Sequence, residues 1–299
     1  MLLRCLTLIL LASVVGCSGP EGLEEDASLG QQGRFGLVYV SYDHDWAESG
    51  EAVLLTSTAQ FVRYAAMDRD QVARLLALPL DPDRDLPSVE QCKTYDLSVD
   101  AVAEEALDVE DTGSVELMEA GDLKILTDDQ TVTLSPRHFP WLLPFISGVV
   151  YGEAQSSAVE RVGAVKVTAE GGEAVGAFAA EVASPALPRL AAVGSVQPSP
   201  LIAARRETLT LRWAPESASA TSSEVTYVEV RYRKGKRDMV LRCQVEDDGS
   251  FNLPLSDLVP GKVTLEIVRL RRSFYSAPGL QRGELRVAVR DRATLALDY

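Results

Sequence analysis

Strict alternation of apolar and polar residues constrains this chain more than any other feature. Leu209, Leu211 and Trp213 alternate with Thr208, Thr210 and Arg212, and Val228, Val230 and Tyr232 alternate with Glu229, Arg231 and Arg233. A period of two places successive side chains on opposite faces of an extended strand, so each run predicts a strand with one face inward and one in water. Lys234-Gly235-Lys236 makes a hairpin turn into residues 239–245, and Asp247-Asp248-Gly249 turns into Phe251. With further apolar runs at 263–270, 285–289 and 294–297, about seven strands are expected beyond residue 193, which suits an Ig-like sandwich.

The preceding stretch carries shorter β runs at 37–40, 53–64, 115–118, 123–126, 131–134, 149–151, 162–167 and 174–182. Residues 92–99 are a further candidate strand. Thr127-Asp128-Asp129-Gln130 reads as a hairpin loop, and Gly171-Gly172 as a further break. Residues 71–78, with Val72, Leu75, Leu76 and Leu78 at helical spacing before Pro79, are expected to form a short helix, and residues 81–87 a loop. Pro185, Pro188, Pro198 and Pro200 mark a boundary. The fold class expected is mainly β, with a β-rich domain over 34–192 and an Ig-like or fibronectin-III-like β-sandwich over 193–299.

Ahead of both domains, Arg4 precedes an apolar run at residues 6–15 that ends in Val14-Val15-Gly16-Cys17. The run has signal-sequence length and falls short of a membrane span. This segment resembles the bacterial lipobox. The resemblance implies cleavage between Gly16 and Cys17, thioether lipidation and N-acylation of Cys17, and, from Ser18 rather than Asp, an outer-membrane address facing the periplasm or the cell surface. Two or three acyl chains anchor stably, at about 0.8 kcal/mol per buried methylene. Residues 17–33, rich in Gly, acids and Gln, then read as a flexible tether.

Two broader likenesses follow. Leu-x-Leu-x-Trp-x-Pro at 209–215 and Tyr-x-x-Val-x-Tyr-Arg at 227–233 are similar to two successive strands of fibronectin-III modules. Val132-Thr133-Leu134-Ser135-Pro136, Gly172-Glu173, Ala177-Phe178, Ser184-Pro185 and Leu241-Arg242-Cys243 with the Asp-Gly-Ser-Phe after it resemble predicted lipoproteins of myxobacteria. That family has no established activity, so the likeness implies location and fold. Its members more often carry several Cys in the N-terminal region, where this chain has only Cys92.

The formal charge is −15, unevenly spread: residues 1–193 hold 31 acids against 12 Lys and Arg, and the remainder 13 against 17. The acidic half would repel phosphate, so nucleic acid is not expected as a partner. Cys5 would leave with the signal, which leaves Cys92 and Cys243 as thiols. An exported compartment permits a disulfide. Cys243, however, shares a strand face with Met239, Leu241 and Val245 and also reads as a small buried hydrophobe. Both readings stand at this level.

Candidate chemistry is sparse. Asp43-His44-Asp45 is the densest ligand cluster, but neighbours on a strand diverge and the only other His is His138, so it reads as a polar hairpin tip. Asp81-Pro82-Asp83-Arg84-Asp85 offers alternating carboxylates, yet Leu86 and Cys92 stand where a calcium loop needs Gly and Glu. Glu104-Glu105 and Glu110-Asp111 read as a solvated face. Phe139, Trp141, Leu142 and Phe145, stiffened by Pro140 and Pro144, form a candidate contact loop for a partner, or a lid over a sandwich end. Arg231, Arg233, Lys234, Lys236 and Arg237, with Arg269, Arg271 and Arg272, read as a solvated basic face able to meet an acidic partner. No catalytic residue, metal or cofactor is expected. The reading favoured is a non-enzymatic, outer-membrane-anchored lipoprotein with a binding or structural role toward an envelope protein or polysaccharide. The alternatives are a carboxylate-dependent envelope enzyme acting on polysaccharide or peptide, and a calcium-stabilised adhesion module.

Overall fold

The computed structural model describes residues 32–45, 53–97, 113–128, 130–143, 146–157, 163–193, 202–204, 208–216, 223–256 and 258–297. In chain order the first strands are β1 (Gln32–Asp45), β2 (Val53–Ala65), β3 (Gln91–Asp96), β4 (Ser114–Leu117), β5 (Leu123–Leu126), β6 (Thr131–Leu134), β7 (Arg137–Leu143), β8 (Ile146–Ser157) and β9 (Ala164–Ala169). They continue as β10 (Phe178–Ala183), β11 (Leu190–Val193), β12 (Ile202–Ala204), β13 (Thr208–Trp213), β14 (Glu224–Lys234), β15 (Arg237–Val245), β16 (Ser250–Pro254), β17 (Gly261–Tyr275) and β18 (Arg282–Leu297). Helices α1 (Arg69–Leu75) and α2 (Pro82–Asp85) lie between β2 and β3. The chain is mainly β, as its alternation predicts.

The strands assemble around one 11-stranded sheet, ordered β3-β15-β14-β17-β18-β1-β2-β4-β8-β7, with β12 also beside β18. Strands from both sides of residue 193 contribute to it: β1 runs parallel to β18, and β3 pairs antiparallel with β15. Two smaller sheets, β10-β9-β5-β6 and β11-β13-β16, complete the set. The second of these, set against β15-β14-β17-β18, gives the three-on-four layout of an Ig-like or fibronectin-III-like sandwich.

Two cores lie on the front face of the large sheet. One gathers Val38, Val40 and Tyr42 of β1, Leu55, Ala59 and Phe61 of β2, and Leu285, Val287 and Val289 of β18 against Ile125, Val132, Val167 and Phe178. Within it Phe61 meets Tyr151 and Phe178 at ring separations of 5.8 Å, and Phe178 stacks on Tyr275 at 4.3 Å. Aromatic pairs of this kind contribute about 0.5–1.5 kcal/mol each beyond their burial. The second core gathers Val228, Val230, Leu241, Val263, Leu265, Ile267, Ala293, Leu295 and Leu297 against Leu209, Leu211, Trp213, Phe251 and Leu253. Strands β17 and β18 therefore serve both cores.

On the back face lies the segment between β2 and β3, which acts as a strap. Val72 of α1 and the flanking Leu75, Leu76 and Leu78 pack with Phe35, Val62, Met67, Val115 and Leu117. Leu80 and Leu86 pack on Tyr39, Tyr227, Val268, Leu270 and Ala288. Local chemistry sets its two turns of helix. Asp68 and Gln71 form a capping box at the start of α1, where the side chain of Asp68 accepts from Gln71 N at 2.7 Å and Gln71 Oε1 accepts from Asp68 N at 2.9 Å. The helix expected over 71–78 is thus shifted toward the N-terminus by its cap. The loop expected over 81–87 contains α2, because Asp81 caps it and Pro82 occupies the first turn, where a missing N–H costs nothing.

Cys92 and Cys243 face each other in the β3–β15 register and are disulfide-bonded. The reading of Cys243 as a free buried hydrophobe is corrected: it is buried and bridged at once. Its partner comes from β3, the strand into which the strap runs.

Residues 139–143, expected as a loop, belong to the edge strand β7, which pairs with β8 through Arg137–Val150, His138–Val149 and Phe139–Gly148 before its register shifts. Pro is tolerated there because an edge strand has one side without a ladder partner. Gly148 is required at this point: its φ is +123°, and a Cβ would lie 2.0 Å from the carbonyl oxygen of Leu117.

Candidate functional site

The front faces of β17 and β18 change character midway. On β17 the inward parity runs Val263, Leu265, Ile267 and then Arg269 and Arg271. On β18, Asp291 interrupts the run from Leu285 to Leu297. These polar positions fall between the two cores, where the connector from β10 to β11 crosses the sheet.

Arg269 is 1% exposed. Its Nε and Nη2 donate to both oxygens of Asp247 at 2.9 Å, Nη1 to Ala186 O at 3.0 Å, and Nη2 also to Ala214 O at 2.6 Å. Arg271 donates to Glu224 at 2.7 Å, to Glu216 at 3.1 Å and to Ala183 O at 3.1 Å. Asp291 accepts from Leu190 N at 2.6 Å and lies 2.6 Å from Nδ1 of His44. Trp213 Nε1 donates to Asp247 at 2.6 Å, so the indole of the second core is tied to the same cluster. Together these groups bond the Ala186 carbonyl within the connector and the backbone at its two ends, the Ala183 carbonyl of β10 and the Leu190 amide of β11, as buried backbone requires.

Electrostatics follow the geometry. Burial pushes the Asp247 carboxyl up, but the hydrogen bonds from Arg269 and Trp213 outweigh it and hold Asp247 below the ordinary carboxylate range. Burial wins at Glu224, which is raised despite Arg271. Oxygens of Glu216, Glu224 and Asp247 lie within 4.8 Å of one another, a spacing a cation could use. Here two guanidinium groups already supply the positive charge, so a cation would have to displace Arg269 or Arg271 from charge-assisted hydrogen bonds.

A second set of buried charges sits on the back face. Glu229 accepts from Arg231 at 2.6 Å and from Arg242 at 2.8 Å. Burial raises its carboxyl, and the two arginines more than reverse that. Glu266 accepts from Arg292 at 2.7 Å. Arg286 forks onto Glu284 at 2.7 and 2.9 Å and reaches the carbonyls of Pro79 and Leu80 and the Asp81 carboxylate in the strap. Tyr39 meets Arg290 through its hydroxyl, and burial raises both Tyr39 and Tyr227 above the usual phenol range.

These networks redefine several residues singled out in the sequence. The solvated basic face is corrected for Arg269 and Arg271, which point inward and are buried. Arg272 lies on the other face of β17 and donates to Asp83 at 2.6 and 2.8 Å. Arg231 and Arg233 pair with Glu229 and Asp238, and Arg237 lies 3.6 Å from Asp96. Asp43, His44 and Asp45 do not converge. Asp43 lies 3.6 Å from Arg290, His44 is held by Asp291, and Asp45 lies 3.8 Å from Arg292. Each acid of Asp81, Asp83 and Asp85 meets an arginine, respectively Arg286, Arg272 and Arg84. His138 and Phe139 are exposed on β7, Phe139 by 41%. The side chains of Trp141, Leu142 and Phe145 lie outside the described residues, as do Gly16, Cys17, Glu104, Glu105, Glu110 and Asp111.

Two open clefts reach the surface. One of about 580 Å³ is lined by Arg34, Arg63, Tyr64, Glu116, Leu280 and Gln281 at the end where β1 begins. Another, of about 530 Å³, opens between β3 and β16, with Glu90, Thr210, Asp248, Ser250 and Asn252 on its wall. No helix among the described residues is long and apolar enough to cross a membrane.

No protein-family model and no curated protein matches the chain. Among solved structures it is similar to the FN1–FN3 domains of chicken CNTN1, at 10% identity and a TM-score of 0.18, over 60% of this chain and 58% of that one.

Proposed function

We propose that this chain is an outer-membrane-anchored lipoprotein, tethered through Cys17, with a binding or structural role in the envelope. The observation that carries the reading is the register of Arg4, the apolar run, Gly16 and Cys17. Each piece answers a separate need: a positive start, a signal-length apolar run, a small residue at the cut and a thiol to carry diacylglycerol. Residues 1–16 are the signal peptide in this reading, and residues 17–33 the tether that spaces the body from the bilayer. The body suits a passive role, since its interior charges are engaged in holding the connector and the strap. Contact with an envelope protein or polysaccharide then falls to the cleft between β3 and β16 and to β7 with Phe139.

The test is a Cys17→Ser variant expressed with a radiolabelled fatty acid. Lipid labelling is expected to disappear, and the protein to move from the membrane to the soluble fraction. A variant that keeps its label or its membrane association overturns the reading.

A further inference from the structure

The end of the molecule where β1 begins differs from the rest of the surface. Phe274, on the back face of β17 near its C-terminus, is 52% exposed, more than any other large apolar side chain among the described residues. Arg282 lies 4.4 Å and Arg272 5.6 Å from the centre of its ring. Arg282 also stands opposite Phe35 in the β1–β18 register, and Arg34 opposite Arg63 in the β1–β2 register. Gln281 and Arg34 are joined by hydrogen bonds of 2.9 and 3.0 Å, which fixes the β17–β18 turn beside the start of β1. Five cationic or aromatic side chains, Arg34, Arg63, Arg272, Phe274 and Arg282, thus share one end of the sheet. Asp83 and Glu116 are neutralised there by Arg272 and Arg63, whereas Arg34 and Arg282 form no ion pair with an acid among the described residues.

From this arrangement we infer that the Phe274 end is a membrane-contact surface, seated on anionic phospholipid headgroups with the ring of Phe274 at the interface. The inference rests on the lipid-anchor reading and adds an orientation to it. An aromatic ring beside arginines suits the headgroup layer, where the ring finds a partly apolar setting and the guanidinium groups meet phosphate. Position supports the choice. The chain from Cys17 joins the body at Gln32, the first residue of β1, so in the lipid-anchor reading this end is the point of attachment nearest the bilayer. The overall charge of −15 opposes adhesion of the body as a whole. Contact is therefore confined to this end and depends on the high local concentration that anchoring provides. The opposite end, with Asp43, His44, Asp45, Leu54 and the β14–β15 turn, then faces away from the membrane.

The test uses the lipidated full-length protein in vesicles of phosphatidylethanolamine and phosphatidylglycerol, with lipids brominated near the headgroup as quenchers. Two variants report position: Phe274→Trp, and Leu54→Trp at the far end of β2, where Leu54 is 44% exposed. Each is read as the difference from the unsubstituted protein, which shares the native tryptophans. The expected result is loss of the added fluorescence for Phe274→Trp and its retention for Leu54→Trp. Arg34→Ala with Arg282→Ala should weaken the contact, on the order of fivefold per arginine, and phosphatidylcholine vesicles should weaken it similarly. Equal quenching of the two reporters, or no quenching of Phe274→Trp in protein that still floats with the vesicles, overturns the inference. Protein that does not float refutes the anchor itself, and the inference falls with it.

Discussion

Arg269 and Arg286 perform the same operation on opposite faces of one sheet. Each is buried, each forks onto a carboxylate, and each donates to two backbone carbonyls, those of Pro79 and Leu80 in the strap for Arg286, and for Arg269 that of Ala186 in the connector and that of Ala214 just after β13. The difference lies in where the carboxylate comes from. Glu284 stands two residues before Arg286 on the same face of β18, so that ion pair is complete without the strap. Asp247 belongs to the turn after β15 and also accepts from Trp213 and from the backbone of Glu216. The front cluster therefore closes only when the sandwich, the turn and the connector are all in place, whereas the back pair forms on one strand and then captures a passing segment. A guanidinium can thus weld parts of a fold together or fasten one part to a finished surface, and local sequence separation tells which.

The largest effect is expected from breaking the front weld. Arg269→Met removes the charge from a buried site and leaves Asp247 partly buried, with the carbonyls of Ala186 and Ala214 without this donor. Loss of one partner of a buried pair costs about 3–5 kcal/mol. Denaturant unfolding should show this loss in a single transition, with both cores affected, because the cluster lies between them. Adding Asp247→Asn, which still accepts from Trp213 while shedding the unpaired charge, should recover part of it. A loss confined to one sandwich would refute the weld.

Much of this was legible in the sequence, in a particular way. Alternation at 209–213 and 228–233 marked strands and the front-facing core correctly, since Leu209, Leu211, Trp213, Val228 and Val230 are all buried. It also implied water on the other face, and there it failed at Glu229, which is buried under arginines rather than solvated. The period reports which side chains share a face and says nothing of what covers that face. The strap that covers it comes from residues 66–90, far away in the chain. Arg269, Arg271 and Asp291 carried a usable signal: they break apolar runs of inward parity, and a charge on a core face must meet a partner. The sequence left the Cys92–Cys243 bridge as one of two open readings, because the choice depends on β3 joining β15 across 151 residues. Local rules did set α1 and α2, through the spacing of Asp68 and Gln71 and through Asp81-Pro82.

The next effect concerns the covalent fastening of the strap. The disulfide closes a loop of 151 residues, and a cross-link of long span restricts the unfolded chain by about 2–4 kcal/mol in typical proteins. Replacing Cys92 and Cys243 by Ala together should lower unfolding stability by that amount. Because Cys243 sits in the second core, part of the loss should appear there; hydrogen exchange should also accelerate in β3 and in residues 66–90. A variant as stable as the parent, with unchanged exchange in β3, would show that pairing to β15 alone holds the strap.

The smallest of the three effects, Arg286→Met, decides whether the two faces differ as argued. If the back pair were a weld like the front one, this substitution would cost as much as Arg269→Met and would loosen both cores. Glu284 instead lies just beneath the strap, and its nearest other cation is Arg69 at 3.9 Å. Lifting the strap hydrates the unpaired carboxylate, so the penalty is capped by the cost of that local opening. An uncompensated polar group of this kind costs about 1–3 kcal/mol. Native-state hydrogen exchange should show residues 66–90 losing protection while amides of β13 and β16 keep theirs, since regions held by few contacts open separately from the core. Loss of protection spread evenly over both sandwiches would place Arg286 in the same class as Arg269 and remove the distinction between a weld and a fastening.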